Sequence, residues 1–113
     1  PAARRATLPL RAIEAALLEA GIPVRMSNTA GTYLCNATLF SFLQALDGLP
    51  RAVPCGFIHL PYLPAQVAAM LGRDDGRKRN IELHQRADLA SMDLETQVRA
   101  VAIAIEVTVA GLR

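Results

Sequence analysis

Leu10, Ile13, Leu17 and Ala20 recur at helical spacing near the amino end of the chain, so the pattern predicts a first helix. Thr7 and Pro9 stand at its start and Gly21 just past its end, where helices begin and stop. In Ile22 to Ser27 the period changes to two. Ile, Val and Met alternate with Pro, Arg and Ser, which predicts a short strand with one buried face. Asn28 to Gly31 reads as a turn. Tyr33 to Leu46, apolar at Leu34, Leu39, Phe42, Leu43 and Leu46 and followed by Asp47-Gly48, predicts a second helix. Ala52 to Leu60 (AVPCGFIHL) is an apolar run bounded by Pro50 and Pro61, as a buried strand would be. Asp93 to Leu112 predicts a long last helix capped by Asp93, with Leu94, Val98, Val101, Ala102, Ile105 and Val109 on one face. Between them, Met70 to Ala90 holds Gly72, Gly76 and the charged run RDDGRKR, and reads as a solvated loop.

Strand, helix, strand in that order makes a parallel pair with a right-handed crossover. Parallel sheets carry helices on both faces and contain several strands, so the expected fold is a three-layer α/β/α arrangement with a mostly parallel twisted sheet. Two strands are only part of such a sheet, and the chain is expected to supply about half of a larger domain.

Composition narrows the function. The 113 residues are 52% hydrophobic and 19% charged, as in one ordinary globular domain. A net charge of +2, 4% aromatic residues and no Trp do not resemble a nucleic-acid-binding surface. The most apolar stretch, Val98 to Leu112, is interrupted by Arg99 and Glu106, so no membrane span is expected. Arg4 and Arg5 lead into an amphipathic segment without the layout of a signal peptide, which makes the cytoplasm the default location. In that compartment Cys35 and Cys55 stay reduced. Two cysteines and two histidines without close ligand spacing argue against a structural zinc site, and no glycine-rich phosphate loop is present. No cofactor is implied.

The predicted order places Cys35 in the first turn of the second helix and His59 near the carboxyl end of the second strand. Both then fall at the sheet edge where open α/β folds keep their reactive groups. Strands ~4.8 Å apart, or twice that with one between, let a thiol and an imidazole meet across that edge. The unpaired N–H groups at a helix mouth favour a thiolate and can hold an oxyanion. Against this, a cysteine in apolar surroundings is most often a small buried hydrophobe, and a strand-end histidine can be purely structural. Cys55 fits the first description, lying ~13 Å down the strand from His59. His84 falls in the loop and is given no role.

The stretch SNTAGTYLCN (Ser27 to Asn36), followed by GFIHLPYLPAQ (Gly56 to Gln66), resembles the two signature regions of pyroglutamyl peptidase I, the pyrrolidone-carboxylate peptidase family, in residues and in interval. Pro1 to Ala3, Thr7-Leu8-Pro9, EAGIP (Glu19 to Pro23) and SMDLE (Ser91 to Glu95) extend the resemblance to nearly the whole chain apart from Met70 to Ala90. The resemblance implies a metal-independent cysteine peptidase that removes an amino-terminal pyroglutamyl residue from peptides, with Cys35 as nucleophile and His59 as general acid/base. It implies Tyr33 and Leu34 as lining of the apolar pocket for the lactam ring, for which helix packing is the competing explanation. A homo-oligomer is the expected assembly.

In that family the nucleophile lies past the middle of a chain about twice this long, and a catalytic glutamate with further pocket and oxyanion residues belongs to the amino-terminal half. The 113 residues thus correspond to the carboxyl-terminal half of a single cysteine peptidase domain, with a variable loop at about 70–90. None of the ten carboxylates matches the motif of the histidine's orienting partner. The alternative is a truncated or divergent non-catalytic module that keeps the fold. Turnover of a pyroglutamyl amide separates the two.

Overall fold

The computed structural model describes residues 3–72 and 89–112, which hold four helices: α1 (Leu10–Glu19), α2 (Leu34–Leu46), α3 (Pro64–Gly72) and α4 (Leu94–Ala110). The chain divides into two compact units, Pro1–His59 with Ala100–Arg113, and Leu60–Arg99. Among the described residues no helix is long and apolar enough to cross a membrane.

In the first unit, α1 follows Pro9 and buries Ile13 and Leu17, one turn apart. It ends in a Schellman motif: Ile22 N–H donates to Leu17 C=O (2.9 Å) and Gly21 N–H to Leu18 C=O (3.0 Å). Gly21 makes this possible by adopting φ +74°, a conformation that a Cβ would strain. The chain leaves the motif with Ile22 buried, then alternates. Val24 and Met26 are half-buried, while Pro23, Arg25 and Ser27 are exposed. α2 points Cys35, Leu39, Leu43 and Leu46 inward at helical spacing, with Leu43 the buried one of the four. The amino-terminal segment holds this helix from its far end. Arg4 pairs with Asp47, and its guanidinium lies 5.4 Å from the Phe40 ring centroid. From α4, Ala104 completes the buried set.

In the second unit, α3 starts with Pro64 in its first position, where the missing N–H costs nothing. The Gln66 side chain reaches back to accept the Leu63 N–H (2.8 Å), the reciprocal half of a capping box. Asp93 caps α4: Oδ2 accepts the Thr96 N–H (2.9 Å) and Oδ1 the Thr96 hydroxyl (2.7 Å). Gln97 is the buried polar residue of this unit, and its amide donates to Met92 C=O (2.8 Å) and Pro61 C=O (3.1 Å). Tyr62 and Ser91 form an isolated parallel bridge.

Two expectations need correction, and the expected pair of strands is not seen among the described residues. Ile22 to Ser27 and Ala52 to Leu60 run without helical or strand pairing, so the parallel pair is not formed among the described residues. A strand is defined by its neighbour, and the alternation seen at Ile22 to Ser27 survives without one. Residues 70–72 belong to α3 rather than to the loop, and the helix itself was not anticipated. The remainder of the expected loop, with RDDGRKR and His84, falls largely outside the described residues. The α4 face is also displaced: Leu94, Val98, Ile105 and Val109 are exposed, whereas Gln97 and Ala104 are buried.

Candidate active site

The turn before α2 is built from two successive hydroxyl-to-backbone links. Ser27 Oγ donates to Thr29 C=O (2.8 Å), and Thr29 Oγ1 accepts the Gly31 N–H (3.0 Å), with Gly31 at φ +92°. The turn delivers Tyr33 to the cap position of α2 in extended conformation, φ −118° and ψ −144°. No side chain caps this helix. The N–H groups of Leu34, Cys35 and Asn36 lie in the first turn, where an α-helix offers no carbonyl acceptor. A helix mouth of this kind can accommodate an anion through its free donors and positive dipole end.

Cys35 is the second residue of α2, half-buried at the start of the helix's inward stripe. Tyr33 and Leu34, beside it, are 86% and 81% exposed. Among the described residues neither side chain is covered by a neighbour.

His59 lies on the second segment, which is held by an unusual clamp. Cys55 C=O accepts from the N–H groups of both Thr7 (2.7 Å) and Leu8 (3.2 Å), and Cys55 N–H donates to Thr7 Oγ1 (2.8 Å). The adjacent Gly56 passes directly beneath the Leu8 side chain. Ile58 joins Leu8, Ile13, Val101, Ala104, Ile105, Thr108 and Val109 around a groove of ≈ 190 Å³. None of Cys35, His59, Tyr33 or Leu34 lines that groove. Its lining is almost wholly hydrocarbon, unsuited to acid–base chemistry.

The His59 ring instead pairs with Phe57, centroids 5.8 Å apart and planes tilted by 58°. Phe57 stands two residues before His59 in the strand that the sequence predicts, a spacing that puts the two on one face. Cys35 and Cys55 are both free thiols. Among the described residues no hydrogen bond joins Cys35 to His59, and no cluster of three or more His, Cys, Asp or Glu side chains suits a metal ion.

Comparison with known proteins gives this geometry its setting. The family model for pyroglutamyl peptidase matches residues 1–110. The chain is 42% identical over 107 residues to the pyrrolidone-carboxylate peptidase of Gloeobacter violaceus, covering 95% of this chain and 44% of that protein. With the pyrrolidone-carboxylate peptidase of Escherichia fergusonii it shares 39% identity over 112 residues, 98% of this chain and 48% of the relative. A mutant pyrrolidone carboxyl peptidase from the hyperthermophile Pyrococcus furiosus superimposes with a TM-score of 0.82 at 34% identity, covering 100% of this chain and 49% of that one. The chain spans about half the length of the curated relatives it matches. It belongs to the pyroglutamyl peptidase family.

Proposed function

We propose that these residues form the nucleophile-bearing part of a cysteine peptidase that removes an amino-terminal pyroglutamyl (5-oxoprolyl) residue from peptides and proteins. The observation that carries the reading is Cys35 at the uncapped mouth of α2, within a family match that runs through residues 1–110. Cys35 is the nucleophile. Its thiolate attacks the pyroglutamyl carbonyl, and the resulting oxyanion is met by first-turn N–H groups, that of Cys35 among them. His59 protonates the departing amine, leaving a thioester on Cys35. Water then adds to the thioester with His59 as base, and the thiolate leaves as pyroglutamate is released. Tyr33 and Leu34 cover the lactam ring, a role that their exposure supports.

Ile22 to Ser27 and Ala52 to Leu60 are, in this reading, two strands of a mostly parallel sheet in a three-layer α/β/α domain, of which the chain is the carboxyl-terminal half. The histidine's acidic partner and the remaining pocket residues then belong to the other half. The reaction needs no metal or cofactor. A cytoplasmic homo-oligomer acting on peptide substrates is the corresponding biological setting. The test is turnover of a chromogenic pyroglutamyl amide by the complete protein. Activity that Cys35→Ala and His59→Ala each abolish supports the reading, and activity that survives either change rejects it. A folded protein that cannot turn over the amide is the non-catalytic module instead.

A further inference from the structure

We propose that Phe57 is the positioning residue for the His59 imidazole. In the strand that the sequence predicts over Ala52 to Leu60, alternate side chains would face opposite ways. Ile58 lines the groove together with Leu8, and Gly56 lies under the Leu8 side chain. Phe57 and His59 lie outside that groove, and their rings meet at 5.8 Å and 58°. That separation and tilt fall within the range in which aromatic rings attract through edge and face.

The two rings are unequal in their surroundings. Phe57 is half-buried and His59 is exposed. The segment's backbone is anchored just before them by four hydrogen bonds between Cys55 and the Thr7-Leu8 pair. Phe57 thus has a fixed base and a constrained ring against which the imidazole rests, and an imidazole has several staggered rotamers to choose from. Contact with Phe57 selects among them. A general acid/base must hold its ring nitrogen within hydrogen-bond reach of two successive partners, the departing amine and the incoming water, so a narrowed rotamer distribution raises the fraction of productive geometries. Phe57 touches neither substrate nor thiol in this scheme and acts through His59 alone.

The inference rests on His59 being the acid/base group proposed above. In the complete protein, Phe57→Leu keeps an apolar side chain but removes the ring, and Phe57→Tyr keeps the ring. The expected result is a fall in kcat of about 3- to 10-fold for Phe57→Leu, with KM within about twofold of wild type, and recovery in Phe57→Tyr. The His59 Cε1–H resonance of the wild-type protein should carry a ring-current shift and a nuclear Overhauser contact to the Phe57 ring, both lost in Phe57→Leu. Full kcat in Phe57→Leu, while His59→Ala is inactive, overturns the positioning role alone. An active His59→Ala removes the acid/base reading and this inference with it. Should Phe57→Leu fail to fold, the wild-type spectrum decides: no contact between the two rings overturns the proposal.

Discussion

Leu8 covers Gly56 so closely that a Cβ on residue 56 would lie 2.6 Å from Leu8 Cδ1, 2.8 Å from Cγ and 3.2 Å from Cβ. Rotation of the Leu8 tip cannot clear all three atoms, because the clash reaches back to its own Cβ. Leu8 is also tethered through its N–H to Cys55 C=O. Gly56→Ala is therefore expected to force the amino-terminal segment off the His59-bearing segment and to destabilise the protein by about 1–3 kcal/mol, as overpacking does. Urea unfolding of the complete protein reads this as a lower midpoint. An unchanged midpoint would mean that Leu8 does not hold this position.

The same clamp is tested from its polar side. Thr7→Val retains the shape and the backbone donor but removes the hydroxyl oxygen that accepts Cys55 N–H. The hydroxyl also donates to Cys55 C=O (3.3 Å), so the loss should amount to about 0.5–3 kcal/mol, the net value of one to two such bonds, with Thr7→Ser near wild type. Equal stability of the Val and Ser variants would show that the hydroxyl contributes nothing.

At α4, hydrogen bonds from the Thr96 hydroxyl and N–H hold the Asp93 carboxyl below its usual value of 3.8, with Arg99 adding in the same direction. A carboxyl lowered by folding stabilises the folded state above its unfolded pKa, and that contribution disappears as pH falls through the folded one. Asp93→Ala should thus lower stability at neutral pH, with the difference from wild type shrinking below about pH 4. Asp93→Asn keeps the cap acceptor and should lose less. Thermal midpoints recorded from pH 7 to pH 3 check both. A difference that grows on acidification would contradict this account.

Helix ends were the most legible part of the sequence. Gly21 and Asp93 signal through local chemistry, a left-handed C′ residue and an N-cap carboxylate, and both stand where the pattern put them. Pro64 was an equally local signal for α3 and was open to the same reasoning. The face of α4 was not legible, because Leu94 and Val98 outweigh Gln97 on any hydrophobic scale. Gln97 is buried through what its amide reaches, the carbonyls of Pro61 and Met92, and one of those lies 36 residues away. Strands are harder still. Their identity depends on a non-local partner, so Ile22 to Ser27 shows the expected alternation without the pairing. For the candidate site, the motif spacing nominates Cys35 and His59, whereas Phe57 enters only through the placement of its ring against the imidazole.

Cys35 and Cys55 offer an internal comparison, since both are free and half-buried. They differ in what surrounds the backbone. Cys55 has its N–H and C=O committed to Thr7 and Leu8, whereas Cys35 stands at the uncapped mouth of α2. Iodoacetamide should modify Cys35 well before Cys55 in the folded complete protein, as read by peptide mapping over time. Faster modification of Cys55, or equal rates, would contradict the assignment.

The central claim is that Cys35 carries the acyl group. Mixing the complete protein with a pyroglutamyl ester, quenching in acid and mapping the peptides by mass spectrometry tests it directly, because a thioester survives acid and bears the mass of its acyl group. A pyroglutamyl adduct on the peptide containing Cys35, absent from Cys35→Ala, is the expected result. An adduct on Cys55, or sustained turnover by Cys35→Ala, would contradict it.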